Sequence, residues 1–352
     1  MKQLHIPILL VTGGAGFVGH ALIKELTCEN PVITADEIRI YDTCPENPYS
    51  DERITYIRGD IRDLGAFRKA AEGAHGMIHL ASLVDWGTHT KGEVFSINVE
   101  GVRNAVSVCR DTGIEVLVYT SSLDAVCTGK PIRGEDESLP YPARFPNSYC
   151  ESKAAAEQIV KEANGNGLST VVLRPAGIWG ERDPFHISAL LNLAEKGPYV
   201  RIGNGEALCQ HVYVGNVAHA HLLALKALLT DGTGTEGNVY FLTDSPPANF
   251  FKFLDPVVEA SGYTIKPKNL WIPKGIMYVL GCLAEAGAWI IRPFKKINPD
   301  VSRFAVSYTC NDFTFSGDKA RRDFGYTPKY GHEEAFRTTV EWFRKYGPVP
   351  KK

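Results

Sequence analysis

The stretch Val11-Thr12-Gly13-Gly14-Ala15-Gly16-Phe17-Val18-Gly19 decides how the chain is read. It follows an apolar run of strand length, residues 6–11, and opens a helical stretch over about residues 17–27. At such a strand-to-helix junction Gly13 permits a tight turn, Gly16 a close backbone approach to a pyrophosphate, and Gly19 close packing of helix on sheet. The helix start then offers free N–H groups and a partial positive charge to an anion. Three glycines alone are a weak signal. Between a strand and a helix they predict a dinucleotide-binding turn built from Gly13, Gly16, Phe17, Val18 and Gly19.

Outward from that turn, apolar runs at 37–41, 54–57, 76–80, 116–120 and 170–173 alternate with helix-sized segments. The alternation predicts an α/β fold, a Rossmann-type doubly wound parallel sheet covered by helices on both faces. After about residue 180 the regularity fades into Gly197-Pro198, Gly203-Asn204-Gly205 and Ser245-Pro246-Pro247. We therefore expect a cofactor-binding domain over residues 1–180 and a smaller C-terminal α/β substrate-binding region over 181–352, partly interleaved with the first. Asp42 ends the second strand where an adenosine ribose would lie. It can accept both ribose hydroxyls and repel a 2′-phosphate, which predicts NAD rather than NADP; a loop or helix-cap role is the alternative. Asp60 ends the third strand, either accepting from the adenine amino group beside an apolar edge from Ile61 or capping the helix that starts near Leu64.

The chain has 352 residues, with 38 Lys plus Arg against 40 Asp plus Glu, a formal net charge of -2. No basic excess exists to neutralise a nucleic-acid backbone, so nucleic-acid binding is excluded as its main business. Eight cysteines (28, 44, 109, 127, 150, 209, 282 and 310) form no C-x-x-C pair and no Cys/His cluster, which predicts no metal site and a reducing, intracellular compartment. The first apolar run is too short for a signal sequence. One segment complicates the soluble reading: residues 275–291 are apolar except for Glu285, with Trp271, Lys274, Arg292 and Lys295 as flanks. Either it is a buried or groove-lining helix, or it lies against a bilayer as a peripheral contact. An endoplasmic-reticulum or other membrane surface and the cytoplasm are thus both open.

Tyr149 and Lys153, in Tyr149-Cys150-Glu151-Ser152-Lys153, are four apart and project from one face of a helix, one turn apart. A free phenol has a pKa of about 10, and a nearby ammonium together with an oxidised nicotinamide favours its phenolate. Such a pair can exchange a proton with a substrate hydroxyl. Upstream, Val118-Tyr119-Thr120-Ser121-Ser122 brings a serine hydroxyl to the carboxyl edge of the fifth strand, where ligands bind in open α/β sheets.

Taken together, the glycine turn, Asp60-Ile61, His79-Leu80-Ala81-Ser82, Asn98-Val99-Glu100-Gly101, Tyr119 to Ser122, Tyr149 to Lys153 and Leu173-Arg174-Pro175 resemble the extended short-chain dehydrogenases/reductases. The resemblance implies that Ser122, Tyr149 and Lys153 are the catalytic serine, tyrosine and lysine, with Ser122 a better match than Ser121. It implies that Lys153 also bonds the nicotinamide ribose, that Leu80 and Ala81 pass along the cofactor, that Asn98 steadies the site, and that Pro175 and Ile178 border the carboxamide. Asn98 read alone is equally a helix-start cap, and Pro175 a strand-exit turn.

Later segments narrow the resemblance. Residues 173–181, 211–221 and 240–244, Ile291-Arg292-Pro293, Phe313-Thr314-Phe315-Ser316 and residues 319–326 are similar to the 3β-hydroxysteroid dehydrogenase/isomerase family. Sterol 4α-carboxylate 3-dehydrogenases share much of this pattern. The similarity implies a flat, mostly apolar steroid or sterol substrate, NAD-dependent oxidation of its 3β-hydroxyl, and a Δ5-to-Δ4 isomerisation that the residues leave open. The run after Ser122, Leu-Asp-Ala-Val-Cys-Thr-Gly-Lys, departs from the Glu-Val-x-Gly-Pro-Asn-like run of steroid members. Asp85 and Glu135 are carboxylates near strand-end loops, each more often simply solvated. The rival readings are a decarboxylating sterol dehydrogenase, a reductase or epimerase acting on another ketone or a nucleotide sugar, and a cofactor-bound scaffold without turnover. A homodimer is the assembly kept in view.

Overall fold

The computed structural model describes residues 4–85, 87, 89–230, 234–291 and 302–350. Seven strands form one parallel sheet: β1 (Leu4–Thr12), β2 (Ile33–Asp42), β3 (Ile54–Arg58), β4 (Gly76–His79), β5 (Val116–Thr120), and, after the short β6 (Ile132–Glu135), β7 (Ser169–Pro175). After β8 (Gly177–Trp179), β9 (Arg201–Ile202) and β10 (His211–Tyr213), β11 (Val239–Leu242) completes the sheet. Its order is β3-β2-β1-β4-β5-β7-β11. The chain winds outward from β1 in one direction and then from β4 in the other, so a crevice opens at the carboxyl ends of β1 and β4, where such sheets bind ligands.

The strands are apolar because both sheet faces are covered. One face packs against α1 (Phe17–Thr27), with Leu22, Ile23 and Leu26 buried, and α7 (Val214–Leu228), with Val217, Leu222 and Leu225 buried. The other face holds α2 (Leu64–Ala71), α4 (Gly101–Thr112) and α5 (Ser148–Ala163), whose Phe67, Val102, Val108 and Val160 are buried. Before α4, α3 (Lys91–Phe95) runs into a π-helical turn, Ser96–Glu100.

The six strands expected from the first half are all present, and β2 starts earlier than its apolar run suggests. The seventh, β11, comes from the second half and pairs in parallel with β7, Leu242 opposite Pro175. The second half also supplies α7, which packs on one face of this sheet. The rest of the second half carries α6 (Ile187–Lys196), α8 (Phe250–Ala260), α9 (Lys274–Ile291), α10 (Arg303–Cys310), α11 (Asp318–Phe324) and α12 (His332–Tyr346), with β12 (Trp271–Ile272) and β13 (Phe313–Phe315). Two-stranded ladders β8–β10, β9–β12 and β6–β13 tie this region together over its own core of Trp179, Leu191, Tyr199, Leu254 and Phe343.

The apolar segment forms α9, which lies on the surface rather than in a core. Met277 and Gly281 face inward, Glu285 accepts from the Arg303 N–H and guanidinium at 2.7 Å each, and Ile276, Val279, Leu280 and Leu283 are exposed, Leu283 at 65%. Gly281 lets α9 approach the start of α10 closely, since a Cβ there would sit a tight 3.1 Å from the Arg303 nitrogen. Among the described residues no helix is long and apolar enough to cross a membrane. The cationic flank at Arg292 and Lys295, and Arg292-Pro293 of the family resemblance, lie outside the described residues.

Candidate active site

Gly13 adopts φ +70°, and a Cβ there would lie 2.6 Å from the Ala81 nitrogen. The turn and the segment after β4 thus cross backbone against backbone, with Leu80 N–H donating to Thr12 O at 3.1 Å. Gly16 is the exposed N-cap of α1 and supplies no side-chain cap, so the first helical N–H groups are open to an anion. Gly19 serves differently from expectation: its absent Cβ would strike the carbonyl oxygens of Gly13 and Gly14, so it packs the helix on the turn rather than on the sheet.

Asp42 does more than end its strand. Its carboxylate accepts from Ala15 N–H at 2.9 Å and Cys44 N–H at 2.8 Å, clamping the glycine turn to β2. A carboxylate keeps further lone pairs for ribose hydroxyls. Sequence reading missed Tyr49, whose hydroxyl donates to Gly14 O at 2.5 Å and lies 3.1 Å from His20 Nδ1. Asp60 pairs with Arg62 at 2.6 Å and does not cap α2; Asp63 does, accepting from Ala66 N–H at 3.0 Å. Asp63 stands directly before the helix, so its side chain alone reaches the first-turn amides. Ile61 is 5% exposed and packs on Gly101.

Asn147 caps α5 through Cys150 N–H at 2.8 Å and so sets Tyr149 and Lys153 at the crevice. Both are buried, at 5% and 2% exposure. Lys153 Nζ donates to Thr120 O at 3.0 Å and stands 5.9 Å from the Tyr149 ring centre. Ser122 rather than Ser121 acts on Tyr149: its side chain pulls the phenol's pKa down, while the buried Ser121 hydroxyl has no partner in the protein. Burial lowers Lys153 to about 8, against the pull of Glu157 and Asp124. Burial and then the Asp124 charge push the Tyr149 phenol up, so in the cofactor-free protein desolvation outweighs the help expected from Lys153.

Asn98 sits in the π-helical turn, 1% exposed, and is not a helix-start cap; Thr90 caps α3 with Glu93 in a capping box. It accepts from Leu83 N–H at 2.7 Å and donates to Leu83 O at 2.9 Å and Ser152 Oγ at 3.0 Å, fixing the segment after β4 against α5. Pro175 ends β7, and Ile178 sits half-buried in β8. Asp85 organises its own loop by accepting from the Gly87 and His89 amides, and Glu135 is exposed at the end of β6. Among the described residues no three His, Cys, Asp or Glu side chains gather to hold a metal. The strand ends thus bring Gly13, Asp42, Ala81, Ser122 and Pro175 to one edge, with α5 delivering Tyr149 and Lys153.

The profile of the 3-beta hydroxysteroid dehydrogenase/isomerase family matches residues 10–272. The chain belongs to this family. It is 33% identical to mouse 3 beta-hydroxysteroid dehydrogenase type 7 over 361 residues, covering 97% of this chain and 96% of that protein. It is also 33% identical to Arabidopsis thaliana 3beta-hydroxysteroid-dehydrogenase/decarboxylase isoform 2 over 350 residues, 95% of this chain but 61% of that longer protein. The fold is shared, at TM-score 0.73 and 20% identity, with a double mutant of Streptomyces venezuelae DesIV, a dTDP-glucose 4,6-dehydratase solved with NAD and DAU bound, over 96% of this chain and 97% of that one. A family member with this architecture is an oxidoreductase of the extended short-chain dehydrogenase/reductase kind acting on a small molecule.

Proposed function

We propose that this protein uses NAD⁺ to oxidise the 3β-hydroxyl of a steroid or sterol to the ketone. One observation carries the reading: buried Tyr149 and Lys153 stand with half-buried Ser122 at the carboxyl edge of β5, beside a glycine turn that a dinucleotide fits. The fit rests on the bare Gly16 N-cap and on the Gly13 crossing, where any Cβ would enter the backbone. Gly13, Gly16, Phe17, Val18 and Gly19 would hold the pyrophosphate, Asp42 the adenosine ribose, and Asp60 with Ile61 the adenine edge. Leu80, Ala81, Asn98, Pro175 and Ile178 would border the rest, and Lys153 the nicotinamide ribose. The bound cofactor supplies the hydride acceptor. Ser122 and Tyr149 orient the substrate hydroxyl, Tyr149 takes its proton, and the positive Lys153 favours that transfer. The Asp42 carboxylate disfavours a 2′-phosphate, which supports NAD over NADP.

The exposed apolar stripe of α9 supports a peripheral contact of this region with a membrane surface, where an apolar substrate would also reside. A panel of 3β-hydroxysteroids and 4-carboxylated sterols with NAD⁺ tests the reading, following NADH, product double-bond position and carbon dioxide together. NADH with a 3-ketone is expected from wild type, and none from Tyr149→Phe, which keeps NAD⁺ binding. Carbon dioxide release would mark the decarboxylating variant of the reaction. Undiminished turnover in Tyr149→Phe would overturn the mechanism.

A further inference from the structure

Oxidation of an alcohol releases a proton into a site whose phenol is buried and held protonated, so a base must stand behind it. Ser122 Oγ donates to Asp124 Oδ2 at 2.9 Å, and Asp124 N–H returns a bond to Ser122 Oγ at 3.2 Å. The Tyr149 phenol stands close enough to this pair that the Asp124 charge raises its pKa and Ser122 lowers it. Ser122 and Asp124 therefore form a pair with exchangeable protons beside the Tyr149 phenol, closed at its inner end by a carboxylate. Its other oxygen, Oδ1, is buried and has no hydrogen-bond partner in the protein.

The groups facing that carboxylate come from three places. Tyr149, Cys150 and Lys153 approach from α5, Cys127 from the turn after Ser122, and His186 and Tyr308 from the C-terminal region. Only Lys153 is a standing cation among them, and it donates its hydrogen bond to the Thr120 carbonyl instead. The Cys127 thiol directs its proton at Leu123 O, 3.6 Å away. A carboxylate with one oxygen unpartnered in such a place is costly as an anion and ready to take a proton. Burial accordingly raises its pKa.

We propose that Asp124 is a positioning residue that acts through Ser122 and is where the proton of the oxidised alcohol comes to rest. The inference rests on the oxidation proposed above. As the substrate C–H pair leaves as hydride to the nicotinamide dinucleotide, the hydroxyl proton passes to the Tyr149 oxygen. The phenol's own proton passes to Ser122 Oγ, and the serine's to Asp124 Oδ2. The products are ketone, reduced cofactor and a neutral Asp124 carboxyl, with Tyr149 and Ser122 unchanged. Reduction runs the same chain backwards.

Asp124→Asn tests this, because the amide oxygen can still accept from Ser122 but cannot take a proton. With dehydroepiandrosterone and NAD⁺ as probes, kcat near neutral pH should fall about 100-fold, in the range of a lost general base. The wild-type acid limb, where rate falls as Asp124 protonates, should vanish in Asp124→Asn and return in Asp124→Glu, with NAD⁺ affinity unchanged in both. A rate within threefold of wild type overturns the proposal, and so does a loss that keeps the acid limb, since that marks mere support of Ser122. Infrared titration of the cofactor-free protein reads the same group without turnover. A protonated-carboxyl band that persists above the usual carboxylate range and disappears in Asp124→Asn is expected, and its absence overturns the proposal. Wild type inert on every steroid in the panel would instead sink the substrate reading, leaving the infrared arm to judge Asp124.

Discussion

Replacing Gly13 by alanine should damage the protein more than its backbone angle alone accounts for, and the fold contains its own control. Gly13 and Gly113 adopt nearly the same left-handed conformation, φ +70° and +74°. At Gly113, which ends α4, a Cβ would meet nothing within 4 Å. At Gly13 it would lie 2.6 Å from the Ala81 nitrogen and 2.8 Å from its Cα, atoms of a segment held by Leu80 N–H on Thr12 O. Both alanines bear the left-handed penalty of about 1–2 kcal/mol. Only Gly13→Ala adds overpacking against backbone, about 1–3 kcal/mol more. Urea unfolding of the cofactor-free proteins should therefore place Gly13→Ala below Gly113→Ala by that difference, with parallel slopes. An NAD⁺ titration should show weakened binding in Gly13→Ala and wild-type binding in Gly113→Ala. If the two variants are equally stable, the crossing of turn and β4 exit is not what fixes that glycine.

The remaining predictions concern charges. Asp42→Ala should lose stability without cofactor, about 1.5–3 kcal/mol for each of the two amide bonds before solvent softens the loss, as well as narrowing NAD over NADP preference; unchanged melting and selectivity would refute the clamp and the ribose role respectively. Glu157 is fully buried against Arg174 at 2.6 Å and accepts from Tyr141 at 2.8 Å, so Glu157→Gln leaves an uncompensated guanidinium and should cost about 3–5 kcal/mol in denaturant unfolding, a loss below 1 kcal/mol contradicting it. Burial lowers His79 and His211 to about 3 and His221 to about 4. Their folded values lie below the unfolded one, so the unfolded chain binds protons first and stability falls as pH drops from about 6.5 toward about 4, by roughly 1.4 kcal/mol per pH unit for each. His211→Asn should flatten the measured slope by one such increment, and an unaltered slope would show that this imidazole is not held neutral.

The glycine turn, the strand ends and the Tyr149/Lys153 helix were legible in the sequence because each is local. A positive-φ turn, a period-2 apolar run and a four-residue helical spacing are all written in consecutive residues. Asp124 was missed, although a carboxylate two residues beyond a serine is a signal for a side-chain bond within a turn. Nothing in that spacing says that the pair lies half-buried behind Tyr149. Asp60 and Asn98 had two local readings each, and their capping alternatives failed because Asp63 and Thr90 stand closer to the amides concerned.

What the sequence by itself determined is the parallel α/β core, its glycine turn and the family, because hydrophobic period and glycine placement act over a few residues. The tertiary structure alone decided the rest. It set which serine meets Tyr149, made Asp42 a clamp on the turn, and drew β11 from the second half into the sheet. It also turned the apolar run at 275–291 outward along one stripe of α9. Burial is a property of what surrounds a residue, and those surroundings here come from segments one hundred or more positions away, as with His221 on Thr120. The same burial reverses the expected sign at Tyr149, since desolvation depends on every neighbour and a motif names only one.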